Sequence, residues 1–418
     1  MTADSVLFDL DTLYLEIDPR AQARAWQQSR SLSTPERQWN AYLNQLALDA
    51  FLSWLKAEGS IAKPSLAAPL LPTVWELVTG SAIDYLDSAG QNSAAQDRAG
   101  QNGPQASARL IVLPTEALDG DELRVPQTWI DIPNWAGDYY LSLQVNPDAR
   151  WVRFAGFATH QALKSQGSYD WRDRTYSLEA SDLTSDLSVL QVAQSLYPEA
   201  VKRTALPVLS PMPVAQAHQL IERLAADSVL EPRLAVGFEQ WGPLLAHGGW
   251  RRQLAERRWG QRSVSISQWL RSGANQMADQ LGDQINLLAR QLGWQQMSYQ
   301  PAIATARDAE SPSAQSSTQP VLCRDLEIAG ESYSLQVMPL SSAENAWRFE
   351  LTKAAGQLLP GVMLKLLTED LQPFENNQAI ATEAVDSLYI DVAIAPQEGI
   401  VWQTQPAPSQ YDPEILRF

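Results

Sequence analysis

Tyr139-Tyr140-Leu141-Ser142-Leu143-Gln144-Val145-Asn146 runs into Pro147-Asp148 and returns as Trp151-Val152-Arg153-Phe154. Tyr139, Leu141, Leu143 and Val145 alternate with Tyr140, Ser142 and Gln144, which is the period of a strand. Asn146-Pro147-Asp148 is turn chemistry, so the stretch predicts an antiparallel hairpin. Thr159 is placed to cap a short helix through Lys164. A Gly167-Ser168 break then leads through Tyr169–Arg174 to a further strand at Thr175–Leu178. The segment Asp138–Leu183 reads as a small, strongly bent antiparallel sheet or barrel, with a helix inserted and another appended from Ser181-Asp182.

Upstream, Ser33-Thr34-Pro35-Glu36 is a helix start: a hydroxyl cap, proline at the front and an acid at the positive helix end. Trp39, Tyr42, Leu43, Leu46, Ala50 and Trp54 then recur at helical steps, so residues 1–60 read as a helical hairpin packed by its aromatic face. A sheet or barrel is expected over 68–200, with Val74–Val78 and Arg109–Leu113 as paired strands. Between them Ala89-Gly90-Gln91-Asn92 recurs as Ala99-Gly100-Gln101-Asn102, and 88–107 reads as a disordered loop insertion. Residues 207–296 read as helical, carried by Val214, Ala217, Ile221 and Leu224 and then by Ile266 through Leu292. Residues 301–320 read as a Ser/Ala/Pro linker. From 321 to 418 the apolar residues alternate at sandwich-like spacing. This stretch holds 14 acidic and 5 basic residues, a local charge of −9, and reads as an acidic immunoglobulin-like β-sandwich. The fold class expected is therefore α+β: N-terminal helical hairpin, small antiparallel sheet or barrel, helical middle and C-terminal sandwich.

Composition narrows function. Fifteen tryptophans accompany only three histidines and one cysteine, which is abundant packing material and little catalytic apparatus. The net charge of −17 over 418 residues opposes general binding to nucleic acid or an anionic membrane. Lone Cys323 forms no intrachain disulfide and suits a reducing cytoplasm. Asp4, Asp9 and Asp11 break up the apolar N-terminus and argue against a signal peptide, so a cytoplasmic location is expected.

The Tyr139–Asn146 run resembles a known family when it is taken with Trp151-Val152-Arg153, Gly156-Phe157-Ala158-Thr159-His160 and Arg174–Leu178. Pro232-Arg233-Leu234-Ala235-Val236 and His247-Gly248-Gly249-Trp250-Arg251 strengthen the likeness. The family is a cyanobacterial one, domain of unknown function 1822. The resemblance runs to about Trp294, and the C-terminal part is similar in general layout. It carries no activity and no site residues. Members tend to be associated with genes for sigma factors and caspase-like proteins, which implies a regulatory setting.

Candidate sites are few. His160 near Asp170 or Asp173 has the makings of a general base, which would make the protein a hydrolase, but no nucleophile motif accompanies it. His218 reads as a packing residue and His247 as a C-terminal cap. The three histidines share no metal-ligand spacing, and no phosphate-loop motif occurs, so no metal and no cofactor are expected. One basic island spans 250–271. There Trp250, Arg251, Arg252, Arg258, Trp259 and Arg262 have the composition of a protein hot spot and also of a nucleic-acid platform, although on a helix the arginines spread round the cylinder. Salt bridges to the chain's many acids are the first reading, a partner surface the second and nucleic acid the last. The leading expectation is a non-catalytic regulatory or scaffolding protein that binds a protein partner, with this island as the contact, docking on the acidic sandwich or on the partner.

Overall fold

The computed structural model describes residues 12–86, 108–117, 122–190, 192, 202–260, 265–271, 292–299, 319–340 and 345–418. The expected insertion at 88–107, Arg262 and most of the 301–320 linker lie outside these. The chain divides into two compact units, Met1–Gly260 and Gln261–Phe418.

In the first unit α1 (Pro19–Ser29) and α2 (Pro35–Ala57) each start on a proline behind a side-chain cap. Asp18 Oδ2 accepts from Ala21 N at 2.9 Å and Thr34 Oγ1 from Arg37 N at 3.3 Å. The strands are β1 (Tyr14–Glu16), β2 (Ile61–Pro64), β3 (Ser81–Leu86), β4 (Ala108–Thr115), β5 (Glu122–Pro126), β6 (Tyr139–Asn146), β7 (Trp151–Thr159), β8 (Ser168–Asp170) and β9 (Thr175–Glu179). Six of them form one sheet in the order β1-β7-β6-β4-β3-β2, and β5-β9-β8 form a second.

The hairpin β6–β7 has the expected antiparallel register, and Asn146 Oδ1 holds its turn by accepting from Ala149 N at 2.8 Å. Its register shifts at Ser142/Leu143, because Ala155 is an extra residue on β7. Such a bulge sharpens strand bending. The next residue, Gly156, has φ of 144°, and a Cβ there would stand 2.9 Å from Leu183 Cβ; only glycine lets the chain at Leu183–Thr184 come this close.

Two expectations need correction here. The large sheet is mixed, since β4 pairs parallel with β6. The crossover contains β5 and α4 (Gln127–Asp131), and α3 (Leu71–Trp75) stands where Val74–Val78 was read as a strand. Leu71, Val74, Trp75 and Val78 are buried at steps of three and four, a helical period that overrides their β-prone composition. β6 is also buried on both faces, and the Tyr140 hydroxyl, inside the unit, donates to Trp129 O at 2.7 Å.

The middle helices complete this unit: α5 (His160–Ser165), α6 (Val214–Leu224), α7 (Pro232–Ala235), α8 (Phe238–Ala246) and α9 (Gly248–Arg258). α9 packs on α3, α6 and α8. The division at Gly260 therefore falls inside the stretch 207–296, which was read as one helical region.

Among the described residues the second unit holds α10 (Ile266–Arg271) and nine strands: β10 (Trp294–Tyr299), β11 (Gln319–Ile328), β12 (Glu331–Pro339), β13 (Ala346–Lys353), β14 (Met363–Thr368), β15 (Gln378–Ile380), β16 (Ser387–Ala393), β17 (Gly399–Gln405) and β18 (Ile415–Arg417). They make two antiparallel sheets, β10-β11-β12-β13-β16 and β15-β14-β17-β18. β10 lies at the end of the stretch whose periodicity predicts helix, because only Met297 and Tyr299 keep a period-two step; it pairs with β11 from Trp294↔Arg324 to Tyr299↔Gln319. Buried Glu414 ties the two sheets. Its Oε1 accepts from Trp294 Nε1 at 3.0 Å, Arg324 at 2.6 Å and Trp402 Nε1 at 2.6 Å.

Candidate functional site

The basic island is structural where the structure describes it. Trp250, Arg251 and Arg252 are buried, and the Arg258 side chain is 4% exposed. Arg251 donates to Leu245 O at 2.9 Å and lies over the Trp135 ring at 5.2 Å. Arg258 Nε donates to Glu76 Oε1 at 2.8 Å, and its NH1 donates to the carbonyls of Leu224 and Val229. Trp259 Nε1 donates to Glu76 Oε2 at 2.8 Å. Ser33 adds its backbone N–H and its hydroxyl to the same carboxylate. Side chains with so little accessible area offer no docking surface and no phosphate contact, so the assignment of Trp250, Arg251, Arg252 and Arg258 to partner contact is corrected.

The histidine is also spoken for. His160 is buried; its Nε2 bonds Ile130 O at 2.9 Å and its Nδ1 accepts from Thr204 N at 3.3 Å. With Nε2–H donating to a carbonyl, the ring is neutral, and burial lowers its pKa. Asp170 accepts from Arg172 N at 2.8 Å, and Asp173 accepts from Thr175 Oγ1 at 2.6 Å, so neither orients the imidazole. His247 caps the N-terminus of α9 rather than a C-terminus: its Nδ1 accepts from Trp250 N at 3.2 Å. His218 is half-buried on α6. Among the described residues, no group of three His, Cys, Asp or Glu is placed to hold a metal ion.

What His160 does is position a cleft. It joins the end of α4, through Ile130 O, to Thr204, where the extended segment Ala205–Ser210 begins. Arg203 anchors the same segment through two bonds to Asp138, at 2.8 and 2.9 Å. That segment forms one wall of a cleft of about 540 Å³, closed by Gln127 and Asp131 of α4, Lys164 of α5, and Phe238 and Glu239 of α8.

The polar floor of the cleft is a closed circuit. Lys164 Nζ donates to Asp131 Oδ1 at 2.9 Å and to the Tyr176 hydroxyl at 2.7 Å, and lies 4.6 Å from the Tyr176 ring centre. Tyr176 passes a proton bond to Asp131 Oδ2 at 3.1 Å, where Gln127 Nε2 also donates at 2.9 Å. Tyr169 donates to Gln127 Oε1 at 2.8 Å. Burial works to lower the Lys164 pKa, but the bonds to Tyr176 and Asp131 outweigh it and the net shift is upward. Burial raises Tyr176 as well. Lys164 is thus a charged donor rather than a nucleophile, and Asp131 spends its oxygens on three donors. The circuit holds this side of the cleft in shape.

Beside the cleft the β8–β9 hairpin projects. β8 is an edge strand with all three residues exposed, and Trp171 at its turn is 72% exposed. The Arg172 guanidinium lies 5.5 Å from the Trp171 ring centre. The sequence marks no strand at Ser168–Asp170, where the expected reading is a loop between Gly167 and Thr175. An exposed tryptophan, tyrosine and arginine within four residues was the signal available.

Together these features define a two-unit protein, a mixed α/β body and an antiparallel two-sheet unit, with a cleft whose Asp131–Lys164–Tyr176 circuit is internally bonded and an aromatic hairpin at its side. The chain belongs to the family described as protein of unknown function (DUF1822), whose sequence profile matches residues 15–87 and 104–417. Membership therefore extends through the C-terminal unit, beyond the Trp294 limit expected from the sequence. No curated protein and no solved structure matches the chain. Among the described residues, no helix is long and apolar enough to cross a membrane.

Proposed function

We propose that this protein acts by binding a protein partner, as a non-catalytic regulatory or scaffolding component in the cytoplasm, and that the β8–β9 hairpin beside the cleft is the contact surface. The observation that carries this reading is Trp171: a large aromatic side chain, 72% exposed, held at a tight turn beside a strand edge that no other described strand pairs. Burying such a ring against a partner releases much apolar surface at little entropic cost, and tryptophan, tyrosine and arginine are the residues that dominate interface energies. β8 can also accept a partner's extended strand through its free backbone groups. The regulatory setting implied by the family resemblance makes a sigma factor or a caspase-like protease a reasonable first partner to try.

Affinity capture with the wild-type full chain and with Trp171→Ser tests this. Proteins held reproducibly by the wild type and lost from the variant, and then bound again as purified components, support the reading. Identical capture by both, or turnover of a substrate that survives Trp171→Ser, overturns it.

A further inference from the structure

We propose that the cleft beside α8 binds a cationic group on an apolar stem, a guanidinium or ammonium side chain of the partner protein, at Glu239. This deepens the contact reading by naming what enters the cleft.

The charges inside the cleft decide the sign. Lys164 and Asp131 lie 2.9 Å apart and cancel, and Asp131 is further filled by Gln127 and Tyr176. The charge left over is that of Glu239, which is exposed and has no hydrogen bond or ion pair among the described residues. Its carboxylate is folded back along its helix, filling the place where a side chain at Gly237 would stand; a Cβ there would come within 1.9 Å of Oε1. Leu206, Pro207 and Leu209 on one wall and the half-buried Phe238 ring on the other supply apolar surface for a stem. A volume of about 540 Å³ is within the range of sites that accept a small organic ligand. An aromatic ring and a carboxylate lining one cleft suit a cation, and the net charge of −17 on the whole chain draws one in. Repulsion from Lys164 keeps the incoming cation at the Glu239 end.

The test uses the full chain with labelled leucine and valine methyls, titrated separately with n-butylguanidinium, n-butylammonium, n-butyrate and n-butanol. The two cations should shift the methyls of Leu206, Val208 and Leu209 in a saturable way, while butyrate and butanol should not. Glu239→Gln, a change at an exposed position, should weaken cation binding by about two- to fivefold, the range of a solvent-accessible ion pair. Butanol matching the cations would show an apolar crevice only. Stronger binding of butyrate would assign the site to Lys164. Unchanged affinity in Glu239→Gln, or no shifts with any probe, would likewise overturn the proposal. Because the probes report on the cleft without a partner, such failure leaves the Trp171 contact to stand or fall on its own test.

Discussion

Arg258 Nε lies 2.8 Å from Glu76 Oε1 across 182 residues of chain, and neither side chain has appreciable access to water. Two charges can be buried together only because the rest of their bonding capacity is used: Glu76 also takes the Trp259 indole and Ser33, and Arg258 also binds two carbonyls. Glu414 in the second unit likewise gathers two indoles and a guanidinium, those of Trp294, Trp402 and Arg324, all on its Oε1.

Breaking one side of such a pair leaves a buried charge unanswered. Glu76→Gln and Arg258→Met are each expected to cost about 3–5 kcal/mol of first-unit stability. The double variant is expected to cost less than the two costs added, with a coupling of about 0.5–3 kcal/mol. Denaturant unfolding of the four proteins measures this. Strict additivity would mean that the two residues do not stabilise one another.

Glu256 on α9 gives a pH signature. Burial pushes its carboxyl up to about 7 from an ordinary 4.5, against the pull of Arg252. The fold therefore keeps a proton that the unfolded chain gives up. This residue's contribution is whole below pH 4.5 and fades as the pH rises through about 7. Glu256→Gln, which stays neutral, is expected to gain melting temperature relative to the wild type as the pH rises from 4 to 8. A constant difference between the two across that range would contradict the shift.

His160 is expected to matter for stability and for the cleft wall, not for turnover. His160→Ala strips the partners from Ile130 O and Thr204 N, a loss of about 1–3 kcal/mol for buried polar groups. Hydrogen exchange at residues 205–210 should quicken in this variant while α2 keeps its protection. Unchanged exchange in that wall would show that the histidine does not tether it.

Local signals in the sequence were reliable where the interaction itself is local. Thr34 and Thr159 cap the helices they precede, at three residues' remove, and Asn146 closes the hairpin that its turn chemistry announces. Register and partnership were not legible. Nothing near Leu110 says that it pairs parallel with Tyr139, and β10, with no sustained alternation of its own, is a strand through its pairing with β11. The basic island shows the limit most clearly. Composition reported arginines and tryptophans between Trp250 and Trp259 but could not report that Glu76, far back in the chain, would draw Arg258 and Trp259 inward. The cleft was invisible for the same reason: Asp131, Lys164 and Tyr176 meet from three elements, with no spacing to mark them.

The most direct measurement is calorimetric titration of the captured partner, once purified, against the wild-type full chain and Trp171→Ser, with melting temperatures recorded for both. The account predicts a loss of affinity of about thirtyfold or more, as for a hot-spot residue worth at least ~2 kcal/mol, with melting unchanged. Equal affinity for the two proteins would contradict it and remove the hairpin from the function.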